Sequence, residues 1–496
     1  MASNTLQHLR DLVSPSEIIE RDAPAYKDAA APWSPWADQR PPLVVQPTSL
    51  DSMSKVVKFL YDSDLDFAVR NTGTGSVSAK DVILSTHGFK DFDFNESAGT
   101  LTIGSGYDWG TVDRKMEKEA PGWQVVGARC TWVGVTGSAL VGGLSWLSHE
   151  YGMISDPQNL LDVQIVLRDG KVIWASEQPD LLWALRGGGG NFGTVTALKY
   201  RARQYPKTVF AAVLFFPYSA LSDVSKLVSR MAARTGDPRI AMHVCNRGTA
   251  FAEAPQGAKP GVAIMMFDAH GQQHARSDDG FGWFFKHPDA VEWAGGEMGM
   301  ADVNSLGDSF KHWQGENKFW ASAPLLAEID DETVNRAWKW WEDCINVHED
   351  FQTGSVVLLE FMQEVSIPTR PTKSITADSR QAAMSSAGGR SKTAWPHSER
   401  RHVMQLGLGR KTEGAPPSIR EMAMKQFAKA GPLIAGPEKD TKEYHAGFLH
   451  EWNDVREVYG ENFDRLKEIK LQYDPENRFN KGVNLTDEKV TAKATV

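Results

Sequence analysis

Two glycine-rich segments are the parts of this chain best suited to bind an anion. The first covers residues 70–76, with the sequence RNTGTGS, and the second covers residues 127–137 and continues to Gly142 and Gly143. Each follows a short apolar run. Small residues let backbone N–H groups approach a ligand closely, and consecutive N–H groups form a nest for phosphate. Two such loops indicate a diphosphate that is held from two sides.

The composition is that of a globular protein with more than one domain. The 496 residues are 41% hydrophobic and 24% charged, with a formal net charge of −9. The negative balance and the lack of a long basic block argue against a nucleic-acid or acidic-membrane partner. No apolar run could span a bilayer, and the start has no apolar segment typical of a secretory signal. We therefore expect a soluble, intracellular and cytoplasmic protein, whose oligomeric state stays open.

Other nucleotide and metal motifs are absent or misplaced. The sequence GGGNFG at 188–193 formally matches G-x-G-x-x-G, but a predicted helix precedes it and β-branched residues follow it. A dinucleotide fingerprint needs the opposite order, a strand and then a helix. The P-loop pattern is missing. H-E-x-x-H and paired C-x-x-C are missing too, so these patterns predict no metal site, and three cysteines give no disulfide framework.

The hydrophobic periodicity changes near residue 207. Before it, the patterns predict an extended arm over 1–45, helices over 49–62, 109–119 and 179–186, strands over 67–70, 81–86, 100–104 and 194–202, and a hairpin over 161–176. Asp108 is the predicted cap of the second helix. After residue 207 they predict helices over 219–235, 332–347, 418–430 and within 444–473, strands over 262–268, 356–362 and 402–409, and a loop over 367–394. Strands joined by long connections favour an antiparallel sheet backed by helices.

The order of the motifs resembles a known family. The RNTGTGS loop is followed by Cys130-x-x-Val133-Gly134-Val135-x-Gly137, by Gly142-Gly143, by LWALRGGGGNFG at 182–193, and finally by Tyr459-Gly460-x-Asn462 and YDPENRF at 473–479. In this order they resemble the PCMH-type FAD-binding domain of the vanillyl-alcohol oxidase superfamily, and within it the berberine-bridge-enzyme-like oxidoreductases.

The resemblance implies an α+β fold with three segments. Residues 1–206 would form the N-terminal part of an FAD-binding domain made of two α/β subdomains. Residues 207–443 would form a substrate domain with an antiparallel sheet backed by helices. Residues 444–496 would return to the FAD domain.

The same resemblance implies FAD as the cofactor. The residues expected to contact it are Arg70, Asn71, Thr72, Gly73, Thr74, Gly75, Ser76, Cys130, Val133, Gly134, Val135, Gly137, Gly142, Gly143, Gly190, Gly193, Val195 and Asn462. Cys130 aligns with the cysteine that bonds the flavin in bicovalent members. The second bond in those members comes from a histidine in the first loop, where this chain has Thr74. Attachment is therefore not bicovalent, and two states stay open, a single thioether through Cys130 or dissociable FAD.

The implied reaction is oxidation of a small molecule, most simply a secondary metabolite. Hydride would pass to flavin N5, O2 would be the electron acceptor, and ring formation could accompany the oxidation. Glu364 is the expected proton acceptor, and Glu360 is a rival four residues earlier. Secondary candidates are Tyr107, Tyr459, His149 and His397. Val135 occupies the place that governs oxygen access in related enzymes, and its small side chain favours an oxidase.

Two other functions stay open at this point. One is an FAD-containing cyclase or isomerase, for example of the pericyclic or Diels–Alder type, with no net redox turnover. The other is a ligand-binding protein with a degenerate flavin site.

Overall fold

The computed structural model describes residues 2–233, 237–246, 261–315, 317–352, 355–362, 393–396, 402–411, 416, 418–436, 443–450 and 452–486. Within these residues, no helix is long and apolar enough to cross a membrane. The predicted loop over 367–394 lies almost wholly outside them.

The first half of the chain, described without a gap over 2–233, contains two main sheets. A four-stranded sheet has the order β1-β2-β4-β3, in which β2, β4 and β3 run parallel; its strands are β1 Ile18–Glu20, β2 Leu43–Val45, β3 Phe67–Arg70 and β4 Val82–Ser85. A five-stranded antiparallel sheet has the order β5-β6-β10-β8-β9; its strands are β5 Phe92–Asn95, β6 Thr100–Gly104, β8 Leu160–Val166, β9 Val172–Trp174 and β10 Thr194–Arg201. A further pair joins β7 Trp123–Gln124 to β11 Arg203–Gln204.

The helices of this half cover these sheets. They are α1 Ala2–Asp11, α2 Tyr26–Ala30, α3 Leu50–Asp62, α4 Trp109–Glu119, α5 Val135–Leu140, α6 Ser148–Tyr151 and α7 Pro179–Leu185. The predicted cap is confirmed, because the Asp108 carboxylate accepts the N–H of Thr111 at 2.7 Å. Helix α3 buries the predicted stripe that includes Met53, Val56 and Leu60.

The expectation of an extended arm over residues 1–45 is wrong. This segment contains α1 and the first two strands, and β2 is fully buried. Leu9 of α1 packs in the cluster that contains Leu43 and Met53. Elements of three residues are too short to show a period, so the prolines and polar residues around them dominated the pattern.

The described residues of the second half form one antiparallel sheet of eight strands. The order is β15-β12-β14-β13-β18-β19-β16, and β17 also pairs with β19. The strands are β12 Val209–Phe216, β13 Ile240–Asn246, β14 Val262–Asp268, β15 Val291–Met298, β16 Asn317–Ser322, β17 Leu325–Leu326, β18 Val356–Glu360 and β19 His402–Lys411. The helices are α8 Leu221–Ala232, α9 Gln272–Ala275, α10 Gly282–Phe285, α11 Met300–Ser305, α12 Asp331–Val347, α13 Ile419–Ala435, α14 Val455–Tyr459 and α15 Phe463–Tyr473.

The two faces of this sheet have different partners. Along β12, Phe210 and Leu214 pack in the core that contains α8, α12 and α13. The alternate residues Ala211, Val213 and Phe215 pack in the core shared with the first half. Since strand side chains alternate between faces, one face is backed by helices and the other closes against the glycine loops. The predicted antiparallel sheet backed by helices is confirmed.

The end of the chain returns to the first half. Lys470 of α15 donates to the carbonyls of Asn191 and Phe479, both at 3.0 Å. It also pairs with Asp474, so this buried ammonium is fully surrounded by acceptors. The division of the chain at residues 206 and 443 stays a prediction.

Helices α4 and α11 meet at a buried carboxyl. Asn304 Nδ2 donates to Asp113 Oδ2 at 2.7 Å, while Asn304 Oδ1 has no hydrogen-bond partner among the described residues. Burial raises the pKa of Asp113 to about 7. A protonated Asp113 can donate to that unpaired oxygen, so the neutral carboxyl fits the pair best.

We expect Asp113→Asn to stabilise the protein above neutral pH. Below about pH 4 both folded and unfolded chains hold the proton. As the pH rises, Asp113 loses its proton in the unfolded chain before it does in the folded chain. The wild-type protein therefore pays a growing penalty in its free energy of unfolding until the pH reaches the folded pKa of about 7. At 1.36 kcal/mol per unit, the penalty is on the order of 4 kcal/mol at pH 8. Urea unfolding at pH 5 and pH 8 measures the stability that Asp113→Asn gains. An equal gain in the surface control Asp223→Asn would contradict the raised pKa of Asp113.

Candidate active site

The two glycine loops are in direct contact. Thr74 Oγ1 donates to the carbonyl of Trp132 at 3.3 Å, and both loops bond to the carbonyl of Ser105, through Asn71 Nδ2 at 2.6 Å and Thr136 Oγ1 at 3.1 Å. Asn71 Oδ1 lies only 1.6 Å from the point where a Cβ on Gly134 would fall. The second loop therefore needs glycine at residue 134 to approach the first loop this closely.

Arg70 shapes the first loop from inside. Its NH2 group donates to the carbonyls of Asp28, Ala31 and Thr72 at 3.0 to 3.1 Å, and burial lowers its pKa to about 10. Gly73 has φ +82°, and a Cβ there would lie 2.7 Å from the guanidinium. The guanidinium thus organises the carbonyls of the loop, which leaves other groups of the loop for the cofactor.

A short segment of the second half lies against the second glycine loop. Trp395 N–H donates to the Arg186 carbonyl at 2.9 Å. A Cβ on Gly142, where φ is +97°, would lie 2.7 Å from the Trp395 ring. Asn462 Nδ2 donates to the carbonyl of Ala394 at 3.4 Å, and the Tyr459 hydroxyl donates to the carbonyl of Gly187 at 3.0 Å. Asn462 and Tyr459 therefore fasten this junction, and their expected roles with cofactor or substrate stay predictions.

The surroundings of the loops fit a ligand with phosphate and hydroxyl groups. A Cβ added to Gly137 or Gly190 would meet nothing within 4 Å. Within the part of the chain that the structure describes, several buried polar atoms have no hydrogen-bond partner; around the loops they are Asn71 Oδ1, Ser105 Oγ, Asn191 Oδ1 and Thr194 Oγ1. Open space and unpaired polar atoms occur where FAD is expected, so the residues present fit this cofactor.

The other residues expected to contact FAD lie in or beside the same region. In the second loop, Val133 packs near Cys130, Val135 begins α5 and donates its N–H to the Tyr107 carbonyl, and Gly143 follows Gly142. Gly193 precedes β10, and Val195 is buried in that strand. Gly75 and Ser76 complete the first loop. Their contacts with FAD stay predictions.

A buried ion pair joins the second loop to the eight-stranded sheet. Arg129 donates to Glu360 Oε2, Gln405 donates to Glu360 Oε1, and Arg129 NH1 lies 3.1 Å from His243 Nε2. His243 and Glu360 are direct partners on β13 and β18. We refer to Arg129, His243, Glu360 and Gln405 as the Arg129 cluster. It places a carboxyl, a cation and an imidazole beside Cys130.

The protonation state of this cluster follows from its contacts. A guanidinium can only donate, so His243 Nε2 accepts and the imidazole is neutral with its proton on Nδ1. Burial and the charge of Arg129 lower the pKa of His243 well below its usual value. Burial raises the pKa of Glu360, and Arg129 opposes this rise. Burial, with Arg129, also lowers the pKa of His445 to about 3.

Aromatic rings lie against His243, beside His445 and near Cys130. Trp146 stacks on His243 with ring centroids 4.1 Å apart, and Trp395 lies 4.9 Å from His445. Cys130 is half-buried near Trp33 and Trp132, whose rings stack at 5.6 Å. Burial raises the pKa of Cys130 to about 11, so the thiol is neutral at pH 7.

The expected catalytic residues are not all in this cluster. Glu364 and His397 lie outside the described residues, so their roles stay predictions. The Tyr107 hydroxyl donates to the Lys90 carbonyl within the first half, and its catalytic role is likewise untested. His149 contacts the carbonyls of Ile240 and Phe361 and so links α6 to the sheet.

Sequence reasoning noted Gln405 on the strand region beside Glu364, but it missed Arg129, His243 and His445. Arg129 directly precedes Cys130, which was one available signal. His243 stands in an otherwise apolar strand, which was another.

Comparison with known proteins agrees with this geometry. Residues 41–176 match the family model described as FAD binding domain, and residues 438–484 match the model described as berberine and berberine like. The FAD-linked oxidoreductase iacH of Pestalotiopsis fici is 26% identical, over 94% of this chain and 88% of its own length. The FAD-linked oxidoreductase pgmH of Aspergillus terreus is 25% identical, over 96% of this chain and 94% of its own.

The chain therefore carries the FAD-binding and berberine-like domains and resembles FAD-linked oxidoreductases along most of its length.

A solved structure shows the same fold over the whole chain. The carbohydrate oxidase from Microdochium nivale, in complex with a substrate analogue, superposes with a TM-score of 0.76 at 17% identity, over 97% of this chain and 100% of that one. The α+β fold expected for a berberine-bridge-like oxidoreductase is confirmed.

We expect Gly137→Ala to weaken FAD binding without unfolding the protein. The added methyl group would enter the open space at residue 137, where it has no protein neighbour within 4 Å. Overlap with a bound ligand that costs about 1–3 kcal/mol corresponds to roughly 10- to 100-fold in affinity. Flavin absorbance per chain and circular dichroism measure the two effects. Gly482→Ala, which also meets nothing within 4 Å, is the control, and equal flavin loss in both variants would refute this placement.

We expect Arg129→Met to destabilise the protein by about 3–5 kcal/mol, because it leaves the Glu360 carboxyl buried without its cation. The double variant Arg129→Met, Glu360→Leu should recover most of this loss in a denaturant-unfolding cycle. Lys339→Met, which breaks an exposed pair with Asp343, is the control and should cost less than about 1 kcal/mol. If the double variant is as unstable as the sum of the two single variants, the pair is not coupled.

Proposed function

We propose that this chain is an FAD-dependent oxidase that takes a hydride equivalent from a small molecule and uses O2 as the electron acceptor. One observation carries the proposal. Glu360, a buried carboxyl with a raised pKa, is held at the junction by Arg129, the residue next to Cys130 in the second loop. Carboxyls whose pKa is raised by burial in a cleft are suited to accept a substrate proton near neutral pH.

Bound FAD would supply the two-electron acceptor for the hydride equivalent, with O2 as the final acceptor and hydrogen peroxide as the reduced product. The residues of the chain supply orientation and proton transfer. Glu360 accepts the proton from the hydroxyl or amine of the substrate as the neighbouring C–H bond is broken. Arg129 stabilises the carboxylate form, and Gln405 orients the second carboxyl oxygen. Neutral His243 accepts from Arg129 and thereby fixes the direction of the guanidinium.

The substrate class follows from the walls of the site. Trp146 stacks on His243 of the cluster, Trp395 lies beside His445, and Trp132 lies near Cys130, so flat apolar surfaces occur close to Glu360 and the second loop. Flat apolar walls with few polar groups favour a ring-containing small molecule with one hydroxyl or amine. We therefore propose a secondary metabolite as substrate. Glu360 replaces Glu364 as the proposed proton acceptor, because its contacts with Arg129 and Gln405 are described and those of Glu364 are not.

A panel of aromatic and alicyclic alcohols and amines tests this function. A substrate should bleach the flavin band under anaerobic conditions, and admission of O2 should restore the band with one peroxide per turnover. Glu360→Gln should lower kcat by about 10²- to 10⁴-fold, the usual contribution of a general base. Because burial raises the Glu360 pKa above 4.5, activity should rise with pH along a limb above that value. Glu360→Gln should lose this limb.

Two outcomes would contradict the proposal. Product formed without bleaching would indicate a cyclase or isomerase that uses FAD without net redox turnover. A Glu360→Gln variant as active as the exposed control Glu421→Gln, with the same pH profile, would remove Glu360 from the mechanism.

We propose that FAD is held by at most one covalent bond, through Cys130. Thr74, in the first loop, has a hydroxyl that contacts Thr72 and the Trp132 carbonyl and has no chemistry for a flavin bond. Acid precipitation of the purified protein tests the link. A yellow pellet that becomes colourless in Cys130→Ala, but not in Cys245→Ala, is the expected sign of the thioether. A pellet that stays yellow in Cys130→Ala would show that another residue bonds the flavin.

A further inference from the structure

We propose that Asp237, His270 and His274 form a zinc-binding site at the ends of β13 and β14. One ligand atom from each residue lies within 4.8 Å of the others. His270 Nε2 is 3.1 Å from both carboxylate oxygens of Asp237, and His274 Nε2 is 4.0 Å from Asp237 Oδ2. Two ligand atoms about 2.0–2.1 Å from a tetrahedral zinc lie about 3.3 Å apart, a value between these two distances.

A buried carboxylate behind the histidines prepares them for a metal. Asp268 accepts from His274 Nδ1 at 2.7 Å and from the His270 backbone N–H at 2.8 Å. With Nδ1 as the donor, the Nε2 lone pair of neutral His274 faces Asp237. Zinc-bound histidines almost always donate their other ring nitrogen to a carboxylate, a backbone carbonyl or water, and the Asp268 carboxylate does this for His274 and fixes its tautomer and ring direction. A solvent-exposed histidine–aspartate pair does not require this second, buried carboxylate.

The backbone brings the four residues together. Ile240 of β13 lies opposite Asp268 of β14, so the segments that carry Asp237 and His270 emerge at the same end of the sheet. Gly271 has φ +94°, and a Cβ there would lie 2.9 Å from Glu297 Oε1. The tight turn leads into α9 and places the two imidazoles 4.5 Å apart. Asp268, His270 and His274 have the spacing D-x-H-x-x-x-H, and the ligand Asp237 lies further back in the chain. This spacing differs from the H-E-x-x-H and C-x-x-C patterns, so those motifs predicted no metal site.

The ligand set favours zinc, and an ion can enter. Two imidazoles and one carboxylate are typical protein ligands of zinc, and three of them leave one position for water. The three side chains are 28% to 33% exposed. Arg239, two residues after Asp237, lies 3.9 Å from Glu150 and over the Tyr205 ring at 5.7 Å. Zinc would therefore brace the start of β13 where it meets the first half of the chain.

Zinc titration of the chelator-treated, FAD-containing protein tests the site. Calorimetry should give one zinc per chain, and X-ray absorption at the zinc edge should show nitrogen and oxygen ligands. His270→Ala and His274→Ala should each abolish this binding, and Asp268→Asn should weaken it by about 10- to 100-fold. The melting temperature should rise with zinc in the wild type and not in the His270→Ala, His274→Ala double variant.

The control is His8→Ala, which removes an exposed histidine of α1 and should bind zinc as the wild type does. Flavin content identifies variants that have not folded. The proposal is overturned if the double variant binds as much zinc as His8→Ala does. It is also overturned if sulfur ligands appear, since the three cysteines would then hold the metal, or if the wild type binds no zinc.

Discussion

The contact between Arg129 and Glu360 is the constraint on which the arrangement of this molecule depends. It joins a loop of the FAD-binding half to a strand of the second half, and both charges are largely removed from water. Moving an ion into a low-dielectric interior costs several kcal/mol, so each partner is tolerable only while the other is in place. The loop and the sheet must therefore assemble in one relative position. Loss of either charged group leaves the other unpaired at the centre of the proposed reaction site.

Close backbone approach provides the second constraint. Asn71 lies so close to Gly134, and Trp395 so close to Gly142 and Gly187, that a Cβ at any of these glycines would overlap the neighbouring residue. The first glycine loop and the segment at 393–396 thus pack against the second glycine loop. The C-terminal residues Tyr459 and Asn462 bond to Gly187 and to that segment. The end of the chain fastens the second half to the first half, and family models match toward both ends of the sequence.

Many helices and strands were predicted from local sequence patterns, and the elements that were not predicted have physical reasons. Helix α4 was predicted because Asp108 and its apolar stripe act within a few residues. Strands β12 and β13 were not predicted. Both of their faces are buried, so VFAAVLFF and IAMHVCN show no alternation, although the equally buried β14 was predicted as an apolar run. The loops were predicted because glycine spacing is local information. The Arg129 cluster was not, because 231 residues separate Arg129 from Glu360 and only the folded sheet brings them together. Glu360 entered the sequence reasoning only as a rival to Glu364.

The eight-stranded sheet places residues that stabilise the fold on one face and residues near the proposed reaction site on the other. On β13, β18 and β19, the residues that face the flavin half alternate with residues that pack on helices α8, α12 and α13. A change at a position such as Leu358 or Gln405 would alter the wall of the proposed reaction site, while its neighbours in sequence keep the helix-backed core intact. New substrate preferences can therefore arise by drift on one side of the sheet without a matching change on the other. Such a scaffold can diversify its chemistry while its architecture stays constant.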